Sequence, residues 1–282
     1  MERKRIENKT VDFERAFYNS VDCDFFNITC EGPTDGESSF KECHNITVHD
    51  SKIALRYCLW HDDRILIDNC NITSTCRAPL WYGNDITMRN TNIDGVKPYR
   101  ECSRIDIKNS KIISEEPFWS CHDVTIEDSE IVGFYAFMNC TNVILKNVKF
   151  GGKYSFQYTK NLLIEDSVLD TKDAFWHAEN TTVRNCVVKG EYLGWYSKNL
   201  TLINCTITGT QPLCYCEGLK LINCTMEGCD LAFEYSEVEA EIHGSMKSIK
   251  NPLIGSICVE NVEEIIIDEN DRSNGRVQLT KK

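Results

Sequence analysis

Four stretches of the chain, Asn45-Ile-Thr-Val-His-Asp-Ser-Lys-Ile53, Arg104-Ile-Asp-Ile-Lys-Asn-Ser-Lys-Ile112, Asp123-Val-Thr-Ile-Glu-Asp-Ser-Glu-Ile131 and Asn199-Leu-Thr-Leu-Ile-Asn-Cys-Thr-Ile207, are copies of one pattern. Its first apolar position recurs at Ile46, Ile65, Ile86, Ile105, Val124, Val143, Leu162, Thr181, Leu200, Leu219, Val238 and Ile257, and from Ile86 onward every step is nineteen residues. Within a copy, apolar residues hold the first and third positions, the period-two alternation of a strand with one face buried. Two positions later stands Asn or Asp, as at Asp50, Asn69, Asn90, Asn109, Asp128, Asp166, Asn185 and Asn204. These residues tolerate the left-handed backbone and make local turns. A small residue follows (Ser51, Cys70, Ser110, Ser129, Ser167, Cys186, Cys205), then a further apolar residue, and glycine punctuates the coil at Gly95, Gly133, Gly152, Gly190, Gly209 and Gly228.

A unit this short cannot bury its apolar positions alone, but stacked copies spaced by roughly 4.8 Å can. The repeat therefore predicts an all-β, right-handed parallel β-helix of 12 to 14 coils, each with a second strand rich in aromatics. The spacing of neither a leucine-rich repeat nor a six-residue left-handed helix is present. Residues 1–20 are expected to cap the first coil, 21–268 to form the helix, with Gly32 to Lys41 an inserted loop, and 269–282 to supply a last rung around Val277-Gln278-Leu279 and the closing cap.

Among 282 residues, 41% are apolar and 26% charged, as in an ordinary globular chain, and no apolar run approaches the roughly 20 residues that span a bilayer. The net charge of −12 disfavours nucleic acid and anionic membrane surfaces, which need clustered Lys and Arg. The charged start Met1-Glu-Arg-Lys-Arg5 lacks a secretory apolar segment, so the expected location is the cytoplasm and Asn-x-Thr triplets such as those at Asn27, Asn45, Asn71, Asn180, Asn199, Asn204 and Asn223 are products of the repeat. Sixteen cysteines would frame disulfides in a short secreted chain, but here Cys102, Cys121 and Cys140, like Cys186, Cys205 and Cys224, fall in columns and read as small buried groups at tight bends. No CxxC pair occurs, and no metal or other cofactor is expected.

The aromatic segment carries the functional signal. Trp60, Trp81, Trp119, Met138, Trp176, Trp195 and Phe233 form one column; Phe118, Phe137, Phe156, Phe175, Gly194 and Leu213 stand on one side of it. On the other stand His61, Tyr82, Glu101, Tyr158, His177, Tyr196, Tyr215 and Glu234. If the Trp column points inward, alternation sends both neighbours outward; with the assignments swapped, the Phe and Tyr rings are core. In the first case aromatics interleaved with carboxylates make a surface for something planar and polar, with an oligosaccharide the natural ligand.

The densest stretch runs through Lys172-Asp-Ala-Phe-Trp-His177, Gly190-Glu-Tyr-Leu-Gly-Trp-Tyr196, Gln211-Pro-Leu-Cys-Tyr-Cys216 and Asp230-Leu-Ala-Phe-Glu-Tyr235. Were the protein an enzyme, Asp173 or Glu191, on adjacent coils, would be the acid or base, with His177 sharing proton transfer. Tyr192, Tyr196 and Tyr215 would be the stacking platform, and Asp230 and Glu234 further substrate contacts. Asp173 and Asp230 lie three coils apart, roughly 14 Å at the strand spacing, too far for a glycosidase pair. The rival expectation is a non-catalytic scaffold or protein-binding helix whose aromatic face is core or interface.

The same motifs, with Asn251-Pro252, Gly36-Glu37-Ser38 and Glu14-Arg15-Ala16, resemble those of a bacterial family of parallel β-helix proteins classed only as a domain of unknown function. The resemblance covers nearly the whole chain and implies a fold rather than a mechanism. More distantly the chain looks like the pectate-lyase superfamily, in architecture only. The cluster of aspartates such enzymes use for calcium is not found in the sequence.

Overall fold

A computed structural model describes residues 3–269 and 276–281 of the chain. Contacts divide it into two units, Met1–Val143 and Ile144–Lys282. Each is an all-β parallel solenoid, about 14 turns in all with about 19 residues per coil, and no helix occurs among the described residues.

In the first unit the strands His44–His49, Asp63–Asp68, Asn84–Arg89 and Ser103–Lys108 pair in parallel and align Ile46, Ile65, Ile86 and Ile105, all fully buried. The expected N-terminal cap contains a further rung. Strand Lys4–Val11 pairs with Val21–Cys30 at the nineteen-residue offset, Lys4 opposite Cys23. In the second unit Lys160–Glu165, Glu179–Arg184, Lys198–Ile203 and Leu219–Thr225 pair likewise, stacking Leu162, Thr181 and Leu200 in the core.

The last regular step differs from the expected register. Val238 faces Gly255 and Ile257 faces Ala240, an offset of seventeen, and the register shifts again between Ile242 and Ser245, as it does between Leu221 and Cys224 in the preceding pair. Val277–Lys281 does form a final rung against Gly255–Val259. The polar segment 270–275, offered by the sequence as a cap, lies outside the described residues.

The Asn and Asp column takes up left-handed backbone as its chemistry requires, with φ near +50° at Asp50, Asn69 and Asn90 in the first unit and Asp166, Asn185 and Asn204 in the second. Its side chains also bond coil to coil. Asn69 Nδ2 donates to Asp50 Oδ1 at 2.6 Å, Asn185 Nδ2 to Asp166 Oδ1 at 3.0 Å and Asn204 Nδ2 to Asn185 Oδ1 at 3.1 Å.

At the bends the ladder breaks, and an N–H buried there must find another partner. The small residue of the next coil supplies it. Ser110 Oγ accepts from Thr91 N–H at 3.2 Å, Ser167 Oγ from Val148 N–H at 2.9 Å and Ser236 Oγ from Cys216 N–H at 2.9 Å. Thiols play the same part and also donate backward, as Cys102 to Leu80 O (3.4 Å) and Cys205 to Val183 O (3.3 Å). Every cysteine but Cys258 is buried and none is disulfide-bonded among the described residues, so the thiols act as compact packing groups and bend caps.

Two members of these columns carry testable consequences. Asp62 fills a bend position at 1% exposure; its Oδ1 accepts from Cys43 N–H at 2.6 Å and its Oδ2 has no partner. Burial, only partly opposed by that bond, holds its carboxyl well above the ordinary 3.8. The folded state thus keeps the proton longer than the unfolded chain, and stability falls as pH rises from the unfolded value through the raised one. Asp62→Asn keeps the acceptor without the titration. Urea unfolding between about pH 4 and 8 should show a shallower decline for the variant and a more stable variant at neutral pH; coincident pH profiles would refute this.

Thr181 interrupts the apolar column with a buried Oγ1 that has no partner. Thr181→Val should raise stability by about 1 kcal/mol in the same assay, whereas a loss would mean the hydroxyl has a partner in solution.

Candidate functional site

The aromatic segment of the second unit is not a strand. In Tyr154-Ser-Phe-Gln-Tyr158, Asp173-Ala-Phe-Trp-His177, Tyr192-Leu-Gly-Trp-Tyr196, Gln211-Pro-Leu-Cys-Tyr215 and Leu231-Ala-Phe-Glu-Tyr235, the first, third and fifth residues all have φ between +47° and +76°. A left-handed residue other than glycine costs roughly 1 kcal/mol or more, and the four arcs from Asp173 onward are held by bonds to both neighbouring coils. Asp173 N–H reaches forward to Glu191 O (2.9 Å), Phe175 N–H back to Ser155 O (2.9 Å) and His177 N–H forward to Trp195 O (3.0 Å). In the first unit Leu59–Trp60 and Leu80–Trp81 pair as a short ladder in this segment, continued by single bridges from Trp81 to Arg100 and from Arg100 to Trp119.

The structure follows neither assignment of the columns as a whole: the Phe column is buried, the Trp column half-buried, and the His and Tyr column faces outward. Phe156, Phe175 and Leu213 are buried, with Phe156 and Phe175 stacked at 5.2 Å; in the first unit Phe118 and Phe137 are buried and stacked at 4.6 Å. The Trp column is half-buried because each indole N–H needs an acceptor. Trp176 Nε1 donates to Tyr192 O at 2.7 Å and Trp195 Nε1 to Gln211 O at 2.9 Å, each on the next coil. Phe233, assigned by sequence to the Trp column, is buried in the Phe column instead, because Thr210 pairs with Asp230 and one residue is inserted there.

That insertion changes the outer column. The rings on consecutive coils are Tyr158, His177, Tyr196, Tyr215 and Tyr235, with Glu234 beside them rather than among them. Centroids lie 5.0, 5.1 and 4.9 Å apart down to Tyr215 with interplanar angles of 13° or less, and Tyr235 closes the row at 6.0 Å, tilted by 39°. Tyr158 and Tyr196 are 50% and 44% exposed. Their ring faces are covered by neighbours, so the row presents edges to solvent: hydroxyls and imidazole nitrogen. Tyr192, Tyr196 and Tyr215 therefore do not offer the open faces of a stacking platform. Tyr192 packs its ring edge-to-face on Trp195 (5.4 Å), with Lys172 Nζ 5.1 Å from its centre.

The carboxylates fall into two kinds. Glu191 is half-exposed and ion-paired to Lys172 at 2.5 Å; Glu234 Oε1 pairs with Lys250 at 2.9 Å while its Oε2 lies 3.4 Å from the Tyr215 hydroxyl. Burial first, and Glu234 next, push the Tyr215 hydroxyl up to about 12, so it stays a neutral donor. Asp173, by contrast, is 5% exposed, and burial raises its carboxyl, with the Glu191 charge adding and the Lys172 charge opposing. Asp230 is half-buried and its carbonyl receives Gln211 N–H.

The structure thus gathers His177, Tyr196 and Tyr215 along one row, with Glu234, Glu191, Tyr192 and Asp173 beside it. Sequence reasoning missed Tyr235, Lys172 and Lys250. The signal for Tyr235 was present in the repeated Ala-Phe of 174–175 and 232–233, which aligns Tyr235 with His177. Among the described residues no group of three or more His, Cys, Asp or Glu could hold a metal ion.

No curated protein matches the chain in sequence. Among solved structures it is similar to the tailspike protein of E. coli bacteriophage HK620, determined with a hexasaccharide, at 8% identity and a TM-score of 0.51 over 98% of this chain and 71% of the tailspike. It is also similar to the catalytic domain of a GH87 α-1,3-glucanase determined with nigerose (10% identity, TM-score 0.38, 99% of this chain and 64% of that one). A periplasmic alginate epimerase gives 10% identity and a TM-score of 0.30 over 93% and 77% of the two chains. The tailspike likeness bears on the fold alone, and the two weaker ones add nothing to it. A family profile described as protein of unknown function (DUF3737) matches residues 4–280, as the motifs of the aromatic coils led one to expect, and the chain belongs to that family.

Proposed function

We propose that the second unit carries a carbohydrate-recognising face and that its ligand is an oligosaccharide lying along the row of rings. The observation that carries this reading is the uninterrupted column Tyr158, His177, Tyr196, Tyr215 and Tyr235, exposed at its edges and repeating at a spacing comparable to one sugar unit. Edges of this kind offer a hydroxyl or ring nitrogen on every coil, which suits a polymer bearing hydroxyls at regular intervals.

The charges beside the row are already paired, Glu191 with Lys172 and Glu234 with Lys250. The face is polar without a strong field, and with a chain charge of −12 it does not suit nucleic acid. That a hexasaccharide accompanies the tailspike structure is consistent with a sugar ligand on this fold. Recognition fits better than turnover: Asp173, whose carboxyl burial favours in the protonated form, is almost inaccessible, and Glu191 is neutralised by its lysine. Sixteen cysteines without a disulfide suit a reducing compartment, and we place this recognition in the cytoplasm.

The hydroxyls of Tyr158 and Tyr196 make no hydrogen bond within the described residues, so Tyr158→Phe with Tyr196→Phe keeps the ring stack and deletes only the outward donors. In calorimetric titration with the best ligand from an array of neutral and acidic oligosaccharides, the double variant should bind roughly ten-fold weaker with unchanged thermal stability. Retention of full affinity would exclude edge recognition. Binding to no glycan by a folded protein would favour a scaffold that docks another protein.

A further inference from the structure

The first unit contains a cleft that is independent of the aromatic row. It has a volume of about 370 Å³ and is walled by Val96, Ile113, Val132 and Phe134, with Asp94 and Glu115 among its lining. Ile113, Val132 and Phe134 are 40%, 39% and 44% exposed, a cluster of large apolar side chains on the outside of two adjacent coils. The volume and the mostly apolar wall with few polar groups fall within the range of small-molecule sites.

Glycines border this cleft where adjoining coils approach closely. Gly95 and Gly133 lie along it, and a Cβ there would come within 2.5 Å of Cys76 O and 2.4 Å of Ser114 O respectively. Glycine at these two positions is what lets the coils approach there.

Its charges are of one sign. Asp94 and Glu115 have no ion-pair or side-chain hydrogen-bond partner among the described residues. The nearby cations are engaged elsewhere: Lys97 and Arg100 with Glu116 at 2.9 and 3.1 Å, and Lys111 with Glu130 at 3.3 Å. Two unpaired carboxylates beside apolar walls leave an attraction for positive charge that the protein itself does not satisfy. We infer that this cleft binds a small organic cation, a primary amine on an apolar body, with the amine between Asp94 and Glu115 and the body against Ile113 and Val132.

The test uses the full chain with methyl-labelled isoleucine and valine, titrated with hexylamine, hexanol and hexanoate and followed by NMR. Hexylamine should shift the Ile113 and Val132 methyls saturably, hexanol should bind at least about five-fold more weakly, and hexanoate should not bind. The D94N/E115Q double variant, isosteric and on the surface, should lose the preference for amine over alcohol. Equal binding of amine and alcohol, or hexylamine leaving both methyls unmoved, would overturn the proposal. So would concentration-dependent shifts of those methyls without ligand, which would make the cleft a contact between copies of the chain.

Discussion

The constraint on which the rest of the structure depends is that backbone polar groups find their partners chiefly on the coil before or after their own. Along the strands this is ordinary parallel pairing, Ile46 over Ile65 and Thr181 over Leu200. At the bends it becomes a demand on side chains, which is why Ser, Cys and Thr recur there and why one acceptor, Asp62, is retained at the expense of a buried carboxyl. A one-residue slip would turn apolar side chains outward and separate each cap from its N–H. The nineteen-residue period is the sequence record of that demand.

The solenoid was legible because burial, turn chemistry and capping all repeat at the same interval. The handling of the aromatic segment was not, for two physical reasons. Period-two alternation says that neighbouring columns face opposite ways, but not which faces in; the indole N–H decides it, since Trp can keep its bond to the next coil's carbonyl only at the boundary, whereas Phe has nothing to satisfy. The second reason is local length. The extra residue before Asp230 moves Phe233 into the core and Tyr235 into the row, and the shortened step after Val238 moves Ile257 opposite Ala240, both invisible to a fixed count of nineteen.

The left-handed arcs explain how such a row can exist at all. Positive φ at alternate residues turns the N–H groups of the first, third and fifth positions toward opposite neighbouring coils in turn, so the arc is stitched in both directions while its fifth residue stands at the surface. Stacking at about 5 Å then follows from the coil spacing, and each contact contributes on the order of 1 kcal/mol beyond burial. The same stacking removes the ring faces from use. What was expected as a platform for sugar faces is a line of hydroxyls and one imidazole, with Glu191 and Glu234 held by lysines at its flanks.

The most direct measurement of this account is aromatic ¹H–¹³C NMR of the full chain during titration with a bound oligosaccharide. Recognition along the row predicts saturable shifts of the ring-edge signals of Tyr158, Tyr196 and Tyr215 together with His177, while the buried Phe156 and Phe175 stay fixed. A bound glycan that leaves these four rings unmoved and perturbs another surface would contradict it.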